Sequence, residues 1–128
     1  MSSIIAARLF ATLTVGAILF QLALGAGMPW GEFAWGGNYP GVLPLHMRAA
    51  SGASAFLLSG LGLVVLIRAG LVNSAWQPVS KKLVWVVVAY CALGVIANGL
   101  TPSVWERIIW LPVTMMMLAS SIVVAKEP

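Results

Sequence analysis

Glu32, His46 and Glu106 are the residues here with the chemistry to handle a proton, a metal ion or a cationic ligand. The 128-residue chain has three acids and one histidine, so these groups are conspicuous. Glu32 lies in GMPWGEFAWGGNYPG, residues 27–41, between Gly31 and Phe33 and flanked by Trp30 and Trp35. Glycine there frees backbone N–H groups to approach a carboxylate. The acid could equally clamp the loop by pairing with Arg48 or Arg107, since a guanidinium suits a carboxylate bidentately. A third use is as counter-charge for a substrate amine lying beside tryptophan faces. The clamp is the expected role.

The other candidates are weaker as chemistry. One imidazole cannot make a bis-histidine haem site, and Glu32 and Glu106 are too few and too far apart to form a metal motif. His46 is therefore expected to hydrogen-bond at an interface, and Glu106 to sit as a favourable charge in the first turn of a helix. Cys91 is the only cysteine, which excludes an intrachain disulfide and a Cys-x-x-Cys redox pair. It is expected to be a small buried apolar residue. Met115–Met117 falls on three faces of a helix and reads as packing. No nucleophile elbow, phosphate loop, zinc-protease helix or dinucleotide fingerprint occurs. No cofactor is expected, and the absence of these motifs leans away from an enzyme.

The elements that must position these groups follow from charge. Charged residues are 8% of the chain, hydrophobic residues 61%, and the mean hydropathy is +1.01. A soluble domain carries about 25% charged residues. Four runs, Leu9–Gly27, Ala49–Ile67, Leu83–Leu100 and Ile108–Ala125, contain no charged residue and no histidine, and each is 18 or 19 residues long. Roughly 20 apolar residues in a helix span a bilayer core. The fold class expected is all-α: an integral membrane four-helix bundle, up-down-up-down. Its helices cover approximately residues 5–27, 45–69, 80–100 and 103–125 in one domain, with a Trp/Gly-rich loop over 28–44. Arg8, the apolar run after it and Ala23–Ala26 also outline a signal peptide; the segment is read here as a retained first span.

Cations give the orientation. Arg8, Arg68, Lys81, Lys82 and Lys126 belong to the end that carries both termini, and Arg48 and Arg107 to the loop end. The positive-inside rule places the termini in the cytoplasm of an inner membrane and the loop outside. With net charge +4 spread over helix ends, the expected partners are the lipid bilayer and either further copies of the chain or a larger membrane complex, not nucleic acid. Arg48 and Arg68 are expected to snorkel to the two interfaces, and the six tryptophans to form aromatic belts.

Within the spans, small and polar residues recur at helical spacing: Thr14, Ala17, Gln21 and Gly25; Ser51, Ala55 and Ser59; Tyr90, Gly94 and Asn98; Thr114 and Ser121. Such stripes suit interhelical packing. Ala23-Leu24-Gly25 and Ala92-Leu93-Gly94 hint at a duplicated helix pair. The costlier polar groups gather at the loop end. Gln21 lies about 9 Å inside the first span, Asn98 ends the third, and Arg48, Arg107, Glu32, His46 and Glu106 stand nearby. A mouth-like ligand or partner site is expected there, formed by Gln21, Trp30, Glu32, Trp35, His46, Arg48, Asn98, Glu106 and Arg107.

Pro29-Trp30-Gly31-Glu32 with Ala34-Trp35-Gly36-Gly37, followed by Glu106-Arg107 and Trp110-x-Pro112, resembles a group of small four-helix bacterial membrane proteins of unassigned function. The resemblance spans most of the chain and implies the bundle and the loop, but no activity. Three functions stay open: a non-catalytic accessory, scaffold or ligand-binding bundle, which is favoured; a small homo-oligomeric transporter or channel; and an enzyme at the outer interface.

Overall fold

A computed structural model describes residues 1–128. Four α-helices account for most of the chain: α1 (Ser3–Ala26), α2 (Leu45–Arg68), α3 (Gln77–Leu100) and α4 (Val104–Ala125). There are no strands. All four are long and apolar enough to cross a membrane. Large apolar side chains cover the outside of the bundle, with Phe56 84% and Leu93 66% exposed. A soluble monomer rarely shows contiguous apolar surface on that scale.

Local chemistry sets the helix ends. The Ser2 hydroxyl caps α1, accepting from the Ile5 N–H at 3.2 Å, and Gly27 closes it in the left-handed conformation at φ 105°. α3 begins at Gln77, three residues before the expected start, because Pro78 fits its first turn at no hydrogen-bond cost. The Gln77 amide then serves the end of α2, donating to the carbonyls of Ile67 at 2.6 Å and Arg68 at 3.2 Å. α4 runs through Pro112 without interruption.

α1 packs against α2 and α4, and α3 against α4 and α2. Small residues make the close approaches. A Cβ on Gly25 would lie 3.3 Å from the Arg48 carbonyl, and one on Gly62 would lie 3.4 Å from the Thr14 methyl. The main core, centred on Phe10, Val65, Val84, Val87 and Val124, fills the half of the bundle nearest the termini. A second cluster of Leu24, Ala34 and Leu43 anchors the long loop to the other end.

Two expectations shift. On α2, Ser51 and Ala55 are buried as the stripe requires, but Ser59 is exposed and bonds back to the Ala55 carbonyl. Steps of four residues advance by about 40° more than a full turn, so the contact face continues instead through Leu58, Gly62 and Val65. Arg68 does not snorkel: it is 7% exposed and donates to the Glu127 carbonyl, tying down the C-terminal tail.

Candidate functional site

The α1–α2 loop is the part of the chain with the least regular backbone and the densest set of long-range bonds. Two single turns of 3₁₀ helix, Gly31–Phe33 and Trp35–Gly37, are joined by extended Ala34. Trp35, Gly36 and Gly37 all have positive φ, at 53°, 71° and 73°. For glycine this is cheap, whereas a tryptophan there is strained by about 1–2 kcal/mol. The strain turns the indole inward, where Nε1–H donates to the Ser51 hydroxyl at 3.0 Å. Ser51 is fully buried on α2.

Three further bonds fix the loop to α4. The Gly36 N–H donates to Glu106 Oε2 at 2.9 Å, the Trp110 indole donates to the Phe33 carbonyl at 3.0 Å, and the Ser103 hydroxyl donates to the Glu32 carbonyl at 2.7 Å. Ser103 also caps α4, its oxygen accepting from the Glu106 N–H at 3.2 Å. In a complete capping box the glutamate would reach back to the Ser103 N–H. Here that N–H is taken by the Thr101 hydroxyl at 3.2 Å. The Glu106 carboxylate is thus freed to hold the loop, and it is 9% exposed.

Beneath this fastened loop lies a cavity of about 400 Å³. All four helices and the loop line it. The loop contributes Phe33, Ala34 and Trp35; α1 contributes Ala17, Phe20 and Gln21; α2 contributes Ser54 and Leu58. Tyr90, Cys91, Gly94, Ala97 and Asn98 come from α3, and Glu106, Trp110, Thr114 and Met117 from α4. Polar groups concentrate near the loop, and Leu58, Cys91 and Met117, all nearly buried, form the floor. Tyr90, Leu93 and Ala97 are also partly or well exposed, so the cavity reaches the bundle surface along α3.

Four of the nine residues expected at the mouth meet on this wall: Gln21, Trp35, Asn98 and Glu106. Gln21 Oε1 is buried without a hydrogen-bond partner, and the Asn98 amide N–H bonds to the Gly94 carbonyl at 2.8 Å. Trp30 lies one layer behind, its ring stacked on Phe20 with centroids 6.3 Å apart. Phe20 in turn meets Trp110 at 4.8 Å.

The remaining four stand apart from the cavity. His46 is exposed, edge-on to the Tyr39 ring at 6.1 Å. The arginines do not clamp Glu32. Arg48 Nε donates to the Gly25 carbonyl at 3.0 Å, and the Arg107 guanidinium to the Thr101 carbonyl at 2.8 Å. Each arginine satisfies a carbonyl left over at a helix end. Glu32 itself is exposed beside a surface recess formed with Gly36, Asn38, Ser103 and Trp105. The acid that ties the loop down is Glu106.

The tryptophans also divide. Trp76, Trp85 and Trp105 are about half exposed, as an interfacial belt would have them, and Trp30 is 37% exposed. Trp35 and Trp110 instead turn their N–H groups into the protein and their rings to the cavity. Phe20, Phe33, Tyr90, Thr114 and Cys91 also line the wall, and none of them is among the residues expected at the mouth. For three of them a signal existed: Tyr90 and Thr114 belong to the polar stripes, and Cys91 follows Tyr90 on the same helix. Nothing in the local sequence marks Phe20 or Phe33.

Fold and site together define an all-α bundle of four helices with a capped, amphipathic cavity at one end. No protein family, curated protein or solved structure matches the chain.

Proposed function

We propose that this is a non-catalytic, multi-pass protein of a bacterial inner membrane that holds a small amphipathic molecule beneath its Trp-Gly loop. The observation that carries this reading is the cavity itself. Its volume of about 400 Å³ falls in the roughly 300–1,000 Å³ range of small-molecule sites. Its wall grades from polar groups under the loop to an apolar floor, so a ligand would lie with its polar head toward the loop. The opening along α3 would face the bilayer, letting a membrane-dissolved molecule enter sideways.

Non-catalytic binding fits the lining, which holds one carboxylate and no histidine, lysine or arginine. General acid–base work needs partners placed within hydrogen-bond reach of each other. A pore through one bundle fits less well, because the half nearest the termini is filled by the Phe10–Val124 core. The five-to-two division of cations between the ends supports cytoplasmic termini and an external loop.

Cys91 gives a direct test, because it is the sole cysteine and lies on the cavity floor. In lipid nanodiscs, a neutral amphiphile such as decanol should slow modification of Cys91 by a small neutral thiol reagent, saturably. If neither decanol nor any charged counterpart changes the rate, the cavity is not a binding site.

A further inference from the structure

Two buried groups on the cavity wall have hydrogen-bond accepting capacity to spare. Glu106 uses one carboxylate oxygen on the Gly36 N–H at 2.9 Å and has capacity for more. Gln21 Oε1 is buried and unpartnered. The hydroxyl of Thr114 is already committed to the Trp110 carbonyl at 2.8 Å. No cation lines the cavity, and the two arginines at this end are held by the carbonyls of Gly25 and Thr101. A carboxylate 9% exposed with one backbone N–H and no counter-charge is costly in a low-dielectric site. Around it stand the rings of Trp35, Trp110, Phe20 and Phe33, whose faces attract positive charge.

Resting on the binding function proposed above, we infer that the ligand is cationic: an amphipathic primary amine whose ammonium donates to Glu106 and Gln21 and whose chain runs down to Leu58, Cys91 and Met117. Buried acceptors with spare lone pairs favour a head group that brings N–H bonds, and a lone buried carboxylate selects a positive one. The aromatic walls add to the preference without excluding the alkyl chain.

The experiment compares decylammonium, decanol and decanoate as protectants of Cys91 in nanodiscs of zwitterionic lipid, using methyl methanethiosulfonate as the thiol reagent. Decylammonium should reach half-protection at a concentration about tenfold to a hundredfold below that of decanol, the range expected for a hydrogen bond to a charged group. Decanoate should protect least. In Glu106→Gln, whose amide oxygen can still accept from the Gly36 N–H, the ratio of the decanol to the decylammonium half-protection concentration should fall to about one. Equal protection by the amine and the alcohol in the native protein overturns the cationic assignment and leaves the binding function standing. An amine preference that survives in Glu106→Gln overturns the role of Glu106. Failure of all three to protect removes both proposals. Should Glu106→Gln not fold, the native series decides, because Glu106 is the only carboxylate on the wall.

Discussion

Gly31→Ala is the substitution to which the loop should be most sensitive, although it adds one methyl group. A Cβ built on Gly31 would lie 1.7 Å from the Tyr39 carbonyl oxygen, 2.9 Å from its carbon and 2.8 Å from the Gly41 oxygen. An ordinary carbon–oxygen contact is roughly 3.3 Å or more, so the Tyr39 peptide must retreat by about 1.6 Å. All three obstructing atoms are backbone, and none can rotate away. The retreat also breaks the Gly31 N–H bond to the Gly41 carbonyl, 2.8 Å long, which is worth about 1 kcal/mol. Overpacking of this kind costs about 1–3 kcal/mol, giving a total of about 2–4 kcal/mol. Two controls bracket it. Gly41→Ala meets nothing within 4 Å but has φ 82°, so only the left-handed cost of about 1–2 kcal/mol applies. Gly16→Ala meets nothing and lies inside α1, so it should stabilise by up to about 1 kcal/mol. Thermal unfolding in detergent should rank them Gly16→Ala, native, Gly41→Ala, Gly31→Ala from most to least stable. Cys91 should react faster with thiol reagents in Gly31→Ala, because the loop that covers the cavity is displaced. A Gly31→Ala protein that melts with the native one and keeps its Cys91 reactivity would refute the packing of the loop described here.

Other expectations follow from single contacts. Trp35→Phe keeps an aromatic side chain but loses part of the indole and the donor to buried Ser51; it should cost more than the roughly 1 kcal/mol of the hydrogen bond alone, and a double-mutant cycle with Ser51→Ala should isolate a coupling of about 1 kcal/mol. Gln21→Leu removes a buried unpartnered oxygen, so the protein should melt no lower than native, while protection of Cys91 by decylammonium weakens. Arg68→Met should release the C-terminal carbonyl of Glu127, seen as faster proteolysis of the last residues, with no change in Cys91 protection. Glu32→Gln alters an exposed side chain whose residue holds α4 only through its carbonyl, so stability and ligand protection should both stay within error of native.

The bundle was legible because four charge-free runs of 18 or 19 residues, each long enough to cross a bilayer as a helix, can be counted in the chain. The polar crowding at the loop end was legible for the same reason: Gln21 and Asn98 are costly in a span and stand out. What could not be read was which acid turns inward. Glu32 has the more suggestive neighbours, yet the decision is made by φ angles at Trp35, Gly36 and Gly37, which point the Gly36 N–H at Glu106. A tryptophan at positive φ is not a sequence signal, since the conformation is set by tertiary bonds to Ser51 and α4. The repeated Ala-Leu-Gly was similarly uninformative about environment: Leu24 is fully buried and Leu93 is 66% exposed.

Glu106 therefore has two jobs on one side chain, and they are coupled. Its Oε2 holds the Gly36 N–H, so the carboxylate fastens the loop that covers the cavity. The same group is the only formal charge facing the cavity. A ligand ammonium would draw on the lone pairs of that carboxylate, and a stronger donor competes with a backbone N–H for the same charge. By linkage, whatever strengthens the loop bond must change ligand affinity by the same factor that ligand changes the loop bond. Gly36 lies at φ 71°, where an L side chain is strained, so the residue that donates to the carboxylate is as constrained as the carboxylate itself.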